Sequence, residues 1–353
     1  MSRSQRRLLA LGLGFALLAG VTAGGNAIAR SNGYGKGLAF DNLSVAADLG
    51  WRWLPEQHIE SPHGYDIDIN NYGLRDAENI DIEKPAGIYR VLCVGDSFTY
   101  GLEIPHEKTF SYLLEQALSE RLGGQSVEVW NTGVNGYNSC QELAWLRDFG
   151  YELDPDLIIV GFVMNDAIPM VVKHPKQFPG RTWMLRYPLY QWLRHNYLYN
   201  WRLAGDDVEA EKLDKLIRQH RGHIETKPSK SKASQQFWDG TLACLGDLAE
   251  AAHVRDVPVM LTVFPTWPQM KKPVPQPEPQ ALLAAMAAEK GYRLVDLLDR
   301  YAAVGLDTLL KSDKAHPSVL GNKIAAAELL SSLESSGWLP GAPAHNATDN
   351  DDG

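Results

Sequence analysis

The chain has 353 residues, 44% hydrophobic and 22% charged, a globular composition with ample material for a large core. Its formal charge of −9 makes nucleic acid and anionic membrane surfaces poor partners. Three cysteines, Cys93, Cys140 and Cys244, do not make an even disulfide framework and have no zinc-site spacing.

Residues 1–29 read as an export signal. Arg3, Arg6 and Arg7 form a basic start, Leu8 to Gly25 is apolar and free of acids, and Ala27-Ile28-Ala29 offers a small-residue cleavage site. The apolar stretch is nearly long enough to span a bilayer, so an uncleaved anchor competes with cleavage. Its glycines, Asn26 and the Ala-x-Ala end favour cleavage. The expectation is an exported protein, periplasmic or extracellular, touching the membrane only if that segment is retained. No Cys follows the apolar stretch, which argues against a lipoprotein. Loss of these residues removes three Arg and no acid, leaving a more acidic domain.

Residues 30–87 are rich in Gly, aromatics and Asp and read as an irregular extension. The alternation Tyr65-Asp66-Ile67-Asp68-Ile69 marks one hairpin within it. A regular domain is expected over 88–338. Continuous apolar runs predict strands at 89–94, 127–131, 157–163, 257–264 and 292–297, as parallel strands buried on both faces should read. Helical periodicity falls between them at 108–121, 139–149, 235–253 and 278–290, and a last helix, opened by Pro317, runs through Leu333. Such alternation argues for a doubly wound parallel sheet with helices on both faces.

An insertion at 167–234 breaks this rhythm and is far longer than an ordinary connection. Its first half holds Trp183, Tyr187, Tyr190, Trp192, Tyr197, Tyr199 and Trp201, and its second half is charged. One reading is a helical hairpin that packs these rings on the sheet edge. The other is a lid or substrate platform, with Trp183 and Trp192 as contact faces. The acidic, polar tail at 339–353 has the composition of disorder.

Chemistry centres on Gly95-Asp96-Ser97. A buried strand ends there in a tight turn that presents one hydroxyl where open α/β sheets bind ligands. Ser97 becomes a nucleophile only if a base reaches it. Asp313-Lys314-Ala315-His316 supplies one: His316 as the base, with Asp313 three residues earlier to fix its tautomer and stabilise the imidazolium. Three oxyanion donors are available at successive strand ends: the backbone N–H of Ser97, that of Gly136, and the side-chain amide of Asn165.

These four blocks resemble the SGNH hydrolase superfamily, which includes the GDSL esterases and lipases. Gly95-Asp96-Ser97-Phe98-Thr99 matches its first block, Gly136 its second, Asn165-Asp166 its third and Asp313 to Pro317 its last. The resemblance covers about residues 88–335 and implies a three-layer α/β/α sandwich around a central parallel sheet, with no metal or organic cofactor. Phe98 replaces the usual Leu, and Val163 stands where the third block usually has Gly, which puts the backbone near Asn165 in question. Asp166 is carried over as a substrate-binding candidate. The segment Asn70-Asn71-Tyr72-Gly73-Leu74-Arg75 resembles an N-terminal element of some bacterial members.

The expected function is an exported serine esterase acting on carboxylic esters, with O-acyl groups on carbohydrate favoured by export and by the Trp and Tyr content of the insertion. A lipid esterase or lysophospholipase is the nearest alternative. Transfer of the acyl group to a sugar hydroxyl would make the protein an acyltransferase. A non-catalytic glycan-binding envelope protein would more naturally lack one of the catalytic residues, yet every position is filled.

Overall fold

The computed structural model describes residues 43–44, 52–60, 64–123, 127–169, 208–270 and 278–340. The chain divides into two compact units. One comprises Met1–Trp51 and Val171–Asp214, of which only the short strand Leu43–Ser44 and the start of the helix Val208–Thr226 are described. The other, Arg52–Met170 with Lys215–Gly353, holds all the elements that follow. The expected export signal, the tail beyond Pro340, and Trp183 and Trp192 lie outside the described residues.

The hairpin expected in the extension is present. Strands β1 (Gln57–Glu60) and β2 (Asp66–Ile69) pair antiparallel, Gln57 opposite Ile69. The central sheet follows, with β3 (Tyr89–Gly95), β4 (Val127–Asn131), β5 (Leu157–Val163), β6 (Val259–Phe264) and β7 (Arg293–Asp296). All of its pairings are parallel, in the order β4-β3-β5-β6-β7. The chain reverses its direction of travel across the sheet between β3 and β5. Their carboxyl ends therefore border the crevice where doubly wound sheets bind ligands. Both ends carry site residues.

Helices around the sheet include α1 (Ser97–Tyr100), α2 (Phe110–Arg121), α3 (Ser139–Asp148), α4 (Lys232–His253), α5 (Glu278–Lys290), α6 (Leu298–Val304) and α7 (Val319–Glu334). Side chains alternate across a strand, so β3 contributes Val91 and Cys93 to one face and Leu92 and Val94 to the other. The first face packs with Phe110, Leu114 and Leu118 of α2 and Ala325, Leu329 and Leu333 of α7 in one core cluster. On the other face α3, α4 and α5 close over the sheet, with Phe162 against Trp238 at 5.9 Å between ring centroids. This is the expected three-layer sandwich. Cys93 is fully buried, and burial pushes its thiol well above the usual range, so it serves as a small hydrophobe.

Pro317 does not open the last helix, as sequence suggested. It forms an isolated antiparallel bridge with Leu309, and Ser318 caps α7 by accepting from Gly321 N at 3.3 Å. A hydroxyl at the cap satisfies an N–H that Pro cannot. Helix α6 was not anticipated, and α4 begins three residues earlier than its apolar pattern suggests, at the Ser231 cap.

Cys140 at the start of α3 and Cys244 within α4 form a disulfide across 104 residues of chain, a pairing that the sequence left open. Cross-linking so long a loop restricts the unfolded chain, so replacing both cysteines by Ser is expected to cost about 2–5 kcal/mol of stability. Denaturant titration of the two forms measures it, and an unchanged midpoint would remove the bridge from the stability account.

Candidate active site

Four loops converge on the carboxyl ends of the strands. The first is the turn out of β3. Asp96 caps α1, its Oδ1 accepting from Phe98 N at 2.8 Å, so Ser97 is the first residue of a one-turn helix. That turn sits flat on the sheet because Gly95 and Gly161 leave room for Thr99. A Cβ on either glycine would lie 2.1 Å from Thr99 Oγ1.

The last loop brings the imidazole of His316. The Leu309–Pro317 bridge, with Leu310 N donating to His316 O at 2.8 Å, closes a short hairpin that holds His316 beside Ser97. Ser97 Oγ and His316 Nε2 are 2.8 Å apart. His316 Nδ1 is hydrogen-bonded to Asp313 Oδ2, while Asp313 Oδ1 accepts from Ala315 N at 2.8 Å and His316 N at 3.2 Å. Burial alone would raise the Asp313 carboxyl. The hydrogen bonds from His316 and the two N–H groups outweigh it and hold the group below the ordinary carboxylate value. Phe98 packs its ring on His316 at 4.9 Å, so the residue that replaces Leu here steadies the imidazole.

The loop after β5 brings Asn165 in a 3-10 turn, Met164–Ala167. Asn165 Nδ2 donates to Asp96 Oδ2 at 2.8 Å, and Ser97 Oγ lies 3.4 Å from the same oxygen. Asp96 thus joins the Ser97 turn to the Asn165 amide, a link that no local spacing in the sequence signals. Its carboxyl is fully buried, which pushes its pKa up against the opposing pull of Asn165 and Phe98 N. Gly136 lies half-buried in the turn after β4 with φ of 79°, the left-handed region that suits glycine. Its loop is tied beside the Ser97 turn by Val134 N donating to Gly95 O at 3.0 Å.

Asp166 is not where substrate binding would need it. Its side chain turns inward, 1% exposed, and accepts from Val163 N at 3.1 Å. Val163, extended at φ −133°, is therefore fixed by the following carboxyl and needs no glycine there. Burial, with Glu142 and Asp96 nearby, pushes Asp166 well above the usual carboxylate range, and Glu142 behaves likewise. Asp166 supports the turn that carries Asn165. Among the described residues, no group of three or more His, Cys, Asp or Glu could hold a metal ion.

A hydroxyl, an imidazole and a carboxylate hydrogen-bonded in series at the switch point of a doubly wound sheet form the arrangement on which serine hydrolysis can run. The model of the GDSL-like Lipase/Acylhydrolase family matches residues 93–324, and the chain belongs to that family. An arylesterase of Vibrio mimicus is 34% identical over 79 residues, which is 22% of this chain and 38% of that one; the match thus spans well under half of the relative. Similar solved structures include TesA, at 16% identity and TM-score 0.43 over 71% of this chain and 99% of that one. A two-domain esterase active on acetylated mannans is 12% identical, with a TM-score of 0.44 over 73% and 53% of the two chains. A catalytic mutant of Axe2, an acetylxylan esterase from Geobacillus stearothermophilus, is 17% identical, with a TM-score of 0.43 over 71% and 96%.

Proposed function

We propose that this protein is an exported serine esterase that hydrolyses carboxylic esters, with O-acyl groups, acetyl foremost, on carbohydrate as its substrate class. The observation that carries the reading is the unbroken hydrogen-bonded chain from Ser97 Oγ through His316 to Asp313. Ser97 attacks the ester carbonyl while His316 Nε2 takes its proton. The negative oxygen of the tetrahedral intermediate meets the N–H groups of Ser97 and Gly136 and the second N–H of Asn165, whose first is held by Asp96. His316 then protonates the departing alcohol, and water repeats the sequence on the acyl-enzyme. Asp313 keeps the imidazole in the tautomer that this requires.

Export is supported by the basic, apolar and small-residue order of the N-terminus and by the Cys140–Cys244 bridge, since disulfides persist in oxidising compartments. Carbohydrate is supported by the ring-rich insertion. Kinetics on an O-acetylated oligosaccharide, a lysophospholipid of similar size and a short chromogenic ester decide the substrate class. The expected result is the highest kcat/KM on the oligosaccharide, with acetate released to water. Preference for the lysophospholipid, or acetate passed quantitatively to an added sugar, would overturn it.

The insertion has its own expected outcome. Trp183→Ala and Trp192→Ala should reduce turnover of the oligosaccharide far more than that of the short ester, because a small substrate never meets remote contacts. Equal losses on both substrates together with a lower melting temperature would make these rings packing residues.

A further inference from the structure

The segment Asn70 to Arg75 belongs to none of the four catalytic blocks, yet its last side chain reaches the nucleophile's helix. Arg75 is 1% exposed. Its Nη1 donates to the carbonyls of Tyr100 and Gly101, its Nη2 donates to that of Ile104, and its guanidinium lies 4.5 Å over the Tyr100 ring. Among the described residues no carboxylate forms an ion pair with it, and its Nε has no hydrogen-bond partner. Burial accordingly pulls its pKa down.

A helix of one turn cannot satisfy its own carbonyls. In α1, Ser97 O accepts from Gly101 N and Leu102 N, both at 3.1 Å, and Thr99 O accepts from Asn131 Nδ2 at 2.7 Å. The remaining end of the turn is closed by Arg75. One planar fork gathers three carbonyls, which a Lys ammonium on its flexible stem does less well. The exit from α1 is shaped around that fork. Gly101 has φ of 80°, and a Cβ there would lie 2.9 Å from Arg75 Nη1 and 2.5 Å from Thr109 Cγ2.

The rest of the segment aims the arginine. Asn70 Oδ1 accepts from Tyr72 N and Leu74 N, both at 3.0 Å, and its Nδ2 donates to Glu78 O at 3.2 Å. Gly73 takes the left-handed φ of 84° at the bend, and Arg75 N donates to Asn131 O at the end of β4. Asn70, Gly73 and Arg75 therefore each have a defined task, and the segment ends on the backbone of the nucleophile turn.

We propose that Arg75 is a positioning residue for the reaction: it fixes the one-turn helix that starts at Ser97, and through it the direction of the Ser97 hydroxyl and N–H. The inference rests on Ser97 being the nucleophile. It makes the extension before β3 part of the catalytic domain's working structure.

Arg75→Gln and Arg75→Lys test it, each assayed for inactivation rate by a small fluorophosphonate, for kcat and KM on a short chromogenic ester, and for melting temperature. A misdirected nucleophile should slow inactivation and kcat by about 10–100-fold in Arg75→Gln, with KM within about threefold of wild type. Arg75→Lys should recover part of that loss. The pH midpoint of kcat/KM should stay in place, because the His316–Asp313 pair is untouched. A merely structural role predicts a lower melting temperature with inactivation and kcat per folded molecule unchanged, and that result would overturn the proposal. Should Arg75→Gln not fold, Arg75→Lys carries the same comparison, and wild-type kcat in it is equally fatal. Ser97→Ala, run alongside, separates the two claims. If it still reacts, the nucleophile assignment fails; if it is inert while the Arg75 variants keep wild-type rates, only the positioning role fails.

Discussion

Ser97→Ala is expected to lower kcat on a short chromogenic ester by about 10⁶-fold, the size found when the nucleophile of a triad is removed. In the proposed mechanism the loss is large because Ser97 Oγ supplies the electron pair for the bond to the acyl carbon, and His316 Nε2, 2.8 Å away, loses the hydroxyl it activates. Folding should survive. The hydroxyl sits at the mouth of the sheet, the α1 cap is made by Asp96, and removing one oxygen opens no cavity in the apolar core. Circular dichroism and melting temperature should match wild type while activity disappears. A variant within a few-fold of wild-type kcat would exclude Ser97 as the nucleophile.

The second large effect divides the other two members. His316→Ala should be about as damaging as the Ser97 change, because triad members act as a unit and loss of either leaves the hydroxyl unactivated. Asp313→Asn should cost one or two powers of ten less, roughly 10⁴-fold in kcat. An Asn oxygen can still accept from Ala315 N and His316 N, so the hairpin is kept. What disappears is the negative charge facing His316 Nδ1, and with it the stabilised imidazolium. Steady-state kinetics on purified variants measure the order. A silent Asp313→Asn would mean that another group orients His316.

The sheet was legible because its strands are buried on both faces and read as unbroken apolar runs. Val127–Asn131 and Leu157–Val163 fall where the sequence places them. Ser97, His316 and Asp313 were legible as candidates because of local spacing, a Gly-Asp-Ser turn at a strand end and an Asp three residues before a His, and the structure brings their side chains into hydrogen-bond contact. What escaped notice is fixed by tertiary contact. The sequence assigns Asp166 to the substrate because it adjoins Asn165, but the 3-10 turn rotates it inward to Val163 N. Pro317 carries a sound signal for a helix start that lost to the Ser318 cap and the Leu309 bridge. Arg75 meets Tyr100, Gly101 and Ile104 across about two dozen residues of intervening chain, where no spacing rule reaches.

The proposed chemistry depends on His316 activating Ser97. Labelling the folded protein with a fluorophosphonate and locating the adduct by peptide mass spectrometry tests it most directly. The expected result is a single adduct on Ser97 that forms rapidly in wild type and is lost in His316→Ala. An adduct on another residue, or labelling of Ser97 at the wild-type rate without His316, would contradict it.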